Sequence, residues 1–181
     1  THTQARYVLP VIVEQYLSKY PDINLNIQQG TPEQVATLLE DGSVDIAIAT
    51  EVLATREGLV TLPCYQWSHS VIVKKDHPLL ENKILSLEDI IQYPIVTYVQ
   101  GFTARYRQDE VFSQNNLQPN IVLTAVDSDV IKTYVRLGLG IGIIANMAFN
   151  AEQDNDLYAF NAEHLFGINT SQIAIKKGGY I

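Results

Sequence analysis

One cysteine, Cys64, stands in the whole chain, so no disulfide within it can hold the fold, and a reducing compartment suits it. Basic residues are scarce: 12 lysines and arginines face 20 aspartates and glutamates, for a net charge of −8. A surface of that sign repels a phosphate backbone, which argues against this chain as a DNA-binding unit by itself. Apolar runs are short, with Ile141–Ala145 as an example, whereas crossing a bilayer takes about 20 residues. No charged-then-apolar leader opens the sequence, and repeats and low-complexity stretches are lacking. His2, His69, His77 and His164 do not fall at metal-ligand spacing, and no acidic pair stands out. Cys64, beside Pro63, reads as a small apolar residue rather than as a nucleophile served by His2 or His69. No residue pattern therefore points to catalysis, a metal or a cofactor.

What is there is ordinary globular composition: 181 residues, 46% hydrophobic and 18% charged, enough for one sizeable domain or two small lobes sharing a hinge. A first helix is expected from about Thr3 to Tyr20, with Val8, Val11, Ile12 and Tyr16 as its apolar stripe and a kink or irregular turn at Pro10. "INLNIQ" alternates as a strand does. "TPEQVATLLEDG" is the clearest helix, with Thr31 as N-cap, Pro32 in the first turn, Gln34 closing a capping box and Gly42 ending it. "VDIAIAT" then reads as a strand ending at Thr50. Helix, strand, helix, strand is the rhythm of a parallel α/β sheet, and a preceding strand is expected outside this chain.

"LVTLPCY", "HSVIVKK", "YPIVTYV", "IVLTA", "IGIIA" and the tail "TSQIAIKK" read as further strands. "DHPLLENK" is a turn-rich loop. Helices are expected from the Ser86 cap through Ile91, over "TARYRQDEVFSQNN" and over "DSDVIKTYVRLG", with another beginning at the C-terminal end. The expected fold is α/β: two Rossmann-like lobes with a ligand cleft between them. Residues 1–69 and 166–181 make lobe I and 70–165 lobe II, with the first strand and the C-terminal helix of lobe I outside the chain. Ligands in open α/β sheets sit at the carboxyl ends of strands.

"GLGIG" invites a dinucleotide fingerprint, but here Gly138 ends a helix and Gly142 enters a strand. A fingerprint does the reverse, at a different spacing. The reading is a helix terminus and close backbone packing. The threonines say more. Thr1, Thr3 and Gln4 stand at a helix start, where orphan N–H groups favour anions and neutral side-chain donors suit a carboxylate or sulfate. Thr50 ends a strand, and Thr103 in "QGFTARY" occupies another strand-to-helix turn. Each also reads as a routine helix cap; together they describe a polar, uncharged anion pocket. Trp67, the lone tryptophan, is open between core packing and a pocket wall.

"THTQARYVLP", "DIAIATE", "LPCYQWSHSVIV", "DHPL", "QYPIVTY", "GFTARY" and "DVIKTYVRLGLGIGIIA" together resemble the effector-binding domain of LysR-type transcriptional regulators. Within that family they resemble the CysB branch with its paralogue Cbl. The likeness runs in order over nearly the whole chain and thins after Asn150. "THTQARY" and "DVIKTYVRLGLG" are specific to the branch, as are Asn146 and Met147 where many members carry proline. The resemblance implies a periplasmic-binding-protein-like (type II) fold. It implies an N-terminal winged helix-turn-helix upstream of this chain, through which alone DNA would be bound, and a cytoplasmic regulator of cysteine biosynthesis and sulfur assimilation. It implies an anionic effector: N-acetylserine or O-acetylserine, with sulfate or thiosulfate as small anions. It also implies homodimers of this domain and homotetramers of the full chain. The family's ligand-contacting positions fall on Thr1, Thr3, Gln4, Thr50, Trp67 and Thr103. A periplasmic solute-binding protein for a small anion would share the fold, and a signal peptide in place of a helix-turn-helix upstream would mark it.

Overall fold

A computed structural model describes residues 1–179. In it the chain forms two compact units, Thr1–Gln66 with the segment from Asn169 onward, and Trp67–Ile168. In chain order the helices are α1 (His2–Tyr7), α2 (Leu9–Lys19), α3 (Pro32–Glu40), α4 (Leu87–Ile90), α5 (Thr103–Gln114), α6 (Ser128–Arg136) and α7 (Glu163–Phe166). The strands are β1 (Ile46–Ala49), β2 (Leu59–Trp67), β3 (His69–Lys74), β4 (Ile95–Tyr98), β5 (Ile121–Ala125), β6 (Ile141–Ala145), β7 (Leu157–Asn161) and β8 (Asn169–Lys176). The helix expected to begin at the C-terminal end lies outside the described residues.

The first unit is built on a three-stranded sheet in the order β1-β8-β2. The β1 and β8 strands run antiparallel, with Ile46 opposite Ile175 and Ala49 opposite Gln172. The parallel pairing expected here is not formed, because the strand beside β1 comes from the far end of the chain. The α3 helix covers the sheet with Val35, Ala36 and Leu39, which join Ala47, Ala49, Leu53 and Ala174 in one core. Its start is fixed as the sequence demands. Thr31 Oγ1 accepts from Gln34 N–H at 3.3 Å while Gln34 Oε1 accepts from Thr31 N–H at 2.9 Å, a reciprocal cap contributing about 1 kcal/mol.

The kink expected at Pro10 is met as a break at Val8 (φ −113°, ψ −49°) that parts α1 from α2, with Pro10 in the first turn of α2, where its missing N–H leaves no bond unmade. Two other expectations fail in this unit. The stripe on α2 is not buried: Val11 is 62% and Ile12 55% exposed. "INLNIQ" forms no strand. A strand needs a partner for its ladder, and no strand among the described residues pairs with Ile23–Gln28.

The second unit holds a five-stranded mixed sheet in the order β5-β4-β6-β3-β7. The β4 strand runs parallel to β5 and β6, whereas β3 runs antiparallel to β6 and β7. The two central strands, β4 and β6, are buried at every position, as a strand covered on both faces must be. The α5 helix buries Ala104, Gln108 and Phe112, one residue per turn. The α6 helix buries Ser128, Ile131, Lys132 and Val135. Lys132 is neutralised by Asp154 (3.1 Å) and bonds the Ala148 carbonyl (3.0 Å), which ties the loop before β7 to α6. Burial opposes the Asp154 charge, but hydrogen bonds from Asn150 N–H, Arg136 and Lys132 outweigh it and hold that carboxyl below the usual range. The β7 strand and the α7 helix went unread in the sequence.

The glycine pattern behaves as expected. Gly138 ends α6 at φ +81°. A Cβ on Gly140 would lie 2.1 Å from the Pro94 carbonyl oxygen, and one on Gly142 would lie 2.5 Å from the Ile72 side chain. Gly140→Ala is therefore expected to destabilise the chain by about 3 kcal/mol or more, since a backbone atom cannot step aside. Gly58→Ala, where the added Cβ meets nothing within 4 Å, should stay within about 0.5 kcal/mol. Urea unfolding of both variants checks this.

One ring in this interior is an imidazole. His69 is fully buried at the start of β3, and burial pushes its pKa down to about 4, with Arg107 adding to the shift and the Ala104 carbonyl opposing it. A lowered histidine pKa means that the unfolded chain binds the proton first. The resulting stability is full above pH 6.5 and is lost as pH falls through 4, an acid limb of about 3 kcal/mol. Unfolding free energies measured at pH 7, 5.5 and 4 should show this limb. His69→Phe should lose about 3 kcal/mol of this limb relative to the original chain, while the other groups with lowered pKa, His77 among them, contribute alike to both.

Candidate functional site

In the first unit, α1 delivers the leading candidates. Thr1 is its N-cap, yet its hydroxyl caps no backbone N–H and donates to Gln4 Oε1 instead. The reading of Thr3 as N-cap is thereby replaced: Thr3 is the second residue of α1 and half-buried. Gln4 is buried, and its Nε2 donates to Ser171 Oγ at 3.5 Å. Thr50 is buried where β1 ends, and its side chain does not cap the 3-10 turn Glu51–Thr55 that follows. Continuing the β1–β8 register one step past Ala49–Gln172 puts Thr50 opposite Ser171. Thr1, Gln4, Ser171 and Thr50 thus form a neutral polar set at one end of the sheet. The Tyr65 hydroxyl on β2 lies beside Ser171 and Gln4 without reaching hydrogen-bond geometry to either. Burial pushes its pKa up, and those two neighbours pull it back only in part.

In the second unit, Trp67 ends β2 and is buried, with its Nε1–H unpartnered among the described residues. Its ring lies 5.5 Å from that of His69, and His69 lies 5.1 Å from Phe166. Thr103 is the first residue of α5, after the N-cap Phe102, and is half-buried. It follows the parallel strand β4, so it stands at the carboxyl end of the sheet, where ligands of α/β folds sit. Behind it, Tyr98 at the end of β4 accepts from Ala145 N–H (3.0 Å) and shares a 2.6 Å hydrogen bond with Ser128, which ties the start of α6 to the ends of β4 and β6.

Within the first unit, Thr1 and Gln4 are joined directly. Within the second, Trp67 and Thr103 are joined through His69, whose Nε2 donates to the carbonyl of Ala104 at 3.1 Å. Ser171, Tyr65 and His69 were missed. Their signal was a polar side chain at an inward strand position, and alternation alone does not give the phase of a short strand. Among the described residues no group of three or more His, Cys, Asp or Glu side chains is arranged to hold a metal. No helix there is long and apolar enough to cross a membrane.

A family model described as the LysR substrate binding domain matches residues 1–175. The chain is similar to the HTH-type transcriptional regulator CysB of Burkholderia cenocepacia, with 48% identity over all 181 residues and 58% of that protein's length. It is 45% identical to the HTH-type transcriptional regulator SsuR of the same organism, again over the whole chain and 59% of that protein. The chain therefore spans under three fifths of these curated relatives. The crystal structure of the cofactor-binding domain of the Cbl transcriptional regulator agrees with a TM-score of 0.93 at 44% identity, covering 99% of this chain and 79% of that one. The fold is thus the periplasmic-binding-protein-like type II α/β fold. The chain belongs to the LysR substrate-binding domain family, as the effector-binding domain of a LysR-type regulator related to CysB and Cbl.

Proposed function

We propose that the chain senses a small anionic effector for a regulator of cysteine biosynthesis and sulfur assimilation. The effector class is N-acetylserine or O-acetylserine, with sulfate or thiosulfate as smaller anions of the same chemistry. The donors are Thr1, Thr3, Gln4 and Thr50 in the first unit and Trp67 and Thr103 in the second. The observation that carries this reading is the buried neutral set around Gln4, Ser171 and Thr50. A folding core gains little from polar side chains placed there, whereas an oxyanion gains oriented donors. The chain carries out no catalysis in this reading and acts in the cytoplasm. Its net charge of −8 leaves DNA to a winged helix-turn-helix outside this chain, consistent with relatives named as HTH-type regulators. Those names also favour a regulator over a periplasmic solute-binding protein.

The two lobes, expected at 1–69 with 166–181 and at 70–165, correspond in this reading to the two units divided at Gln66/Trp67 and Ile168/Asn169, with a first strand and a last helix outside the chain. The domain pairs with a second copy through α2, where Val11, Ile12 and Tyr16 are exposed together, and the full chain assembles as a homotetramer. Sedimentation at micromolar concentration should show a dimer fraction, which Val11→Lys with Ile12→Lys should remove. A strict monomer at all concentrations contradicts the pairing.

Each neutral donor to a charged acceptor contributes about 1.5–3 kcal/mol. Thr103→Val and Thr50→Val keep the side-chain shape and remove one hydroxyl. Each should weaken binding roughly 10- to 100-fold with folding preserved. Thr55→Val, at an exposed position whose hydroxyl donates to the Val52 carbonyl, should change little. Calorimetry with sulfate and with N-acetylserine decides: unchanged affinity for both ligands in both variants means that these threonines are structural.

A further inference from the structure

We propose that His69 is a positioning residue for effector binding in the second unit, holding the Trp67 ring and the first turn of α5, with Thr103, as one rigid piece. The inference rests on the site reading above. His69 has no exposed surface. Its imidazole stands between Trp67, at 5.5 Å and 53° between planes, and Phe166, at 5.1 Å and 57°. Phe166 in turn meets Phe112 of α5 edge-on at 5.9 Å. Its Nε2 lies 3.1 Å from the carbonyl oxygen of Ala104, the residue after Thr103. A carbonyl only accepts, so the proton is on Nε2, and Nδ1 is left without a partner among the described residues. The hold of this ring on α5 is therefore one directed bond plus aromatic contact.

The backbone around the ring is itself pinned. Ser68 N–H donates to Asn146 Oδ1 at 3.2 Å, Asn146 N–H to the Ser68 carbonyl at 2.9 Å, and Ala162 N–H to the His69 carbonyl at 3.0 Å. The imidazole thus extends from a fixed strand end to a helix start. Trp67 and His69 are two residues apart, so a shift of one strand end moves both rings, and the Ala104 bond passes that shift to the helix start bearing Thr103. An apolar ring in the same space would pack equally well against Trp67 and Phe166. It would leave the helix start without its side-chain tether.

Three substitutions separate tether from filler. His69→Phe keeps the ring contacts and loses the donor. His69→Gln places an amide nitrogen as many bonds from Cβ as Nε2 is, and so keeps the donor without the ring. His69→Asn carries its nitrogen one bond short and keeps neither. Sulfate and N-acetylserine affinities, urea stability and Trp67 emission are measured on each; Trp67 is the only tryptophan, so the emission has one source. His69→Phe should weaken N-acetylserine binding about tenfold, the loss of one hydrogen bond, and abolish the ligand-induced change in emission. His69→Gln should recover to within about threefold of the original chain, although it is the less stable variant. Affinity that follows stability, with Gln no better than Asn, overturns the proposal, as does unaltered binding in His69→Phe. Should His69→Phe not fold, the Gln–Asn comparison alone decides in the same way. Thr103→Val in the same titration keeps the two readings apart. If it binds unchanged, Thr103 falls as a donor, and with Thr50→Val also unchanged the site reading falls. If it weakens while His69→Phe binds as the original chain does, only the positioning role falls.

Discussion

The second unit depends on how closely β4 and β6 approach at Pro94 and Gly140. Ile141 N–H donates to the Pro94 carbonyl at 2.9 Å, and no side chain fits at Gly140 beside that same carbonyl. This contact sets β6 against β4 in parallel, while the other edge of β6 runs antiparallel to β3. The sheet changes sense at that strand. Gly142 repeats the demand one pleat further, where Ile72 of β3 and Val135 of α6 fill the space a side chain would take. Two glycines thus let the sheet and the covering helix close on a strand that is buried throughout.

That closure explains where polar groups are tolerated. Once β3, β4 and β6 are packed on both faces, any polar side chain among them must be matched. Thr97 bonds Gln108 and the Ile143 carbonyl, Tyr98 bonds Ser128 and Ala145 N–H, and Lys132 bonds Asp154 and the Ala148 carbonyl. The exceptions in this unit, among the described residues, are Nε2 of Gln108, Nε1 of Trp67 and Nδ1 of His69, each buried and unpartnered. The last two lie where β2 gives way to β3, next to the start of α5.

Much of the fold was legible because local chemistry and tertiary outcome agree. The Thr31–Gln34 box, the Ser86–Asp89 box and the Asp127 cap each start a helix where the sequence places one. What misled was any segment whose state depends on a distant partner. Ile23–Gln28 alternates as a strand does and remains irregular for want of a neighbour. The sense of β1 is set by β8, more than 120 residues later in the chain. The β7 strand is bounded by acidic and turn-forming residues that hide a strand pairing with β3. At the candidate site the placement of Thr50 at a strand end and of Thr103 at a helix start was readable, since it follows from the local succession of strand and helix. Ser171 and Tyr65 were not, because their inward phase is fixed only when β8 inserts between β1 and β2.

The neutrality of the proposed donors has a consequence for selectivity. An arginine or lysine in their place would attract any anion over roughly a Debye length, about 8 Å at physiological salt, and would discriminate poorly among them. Hydroxyls and amides act only at contact. They donate to an oxyanion and also accept from an N–H, so one set can satisfy both ends of an acylated amino acid. A chain of net charge −8 adds no long-range attraction for anions. Recognition would then rest on the fit of donors and acceptors, and an anion lacking the second polar group leaves part of the set unpaired. That penalty, about 1–3 kcal/mol per buried group, is of the size needed to tell an acetylated serine from a bare inorganic anion.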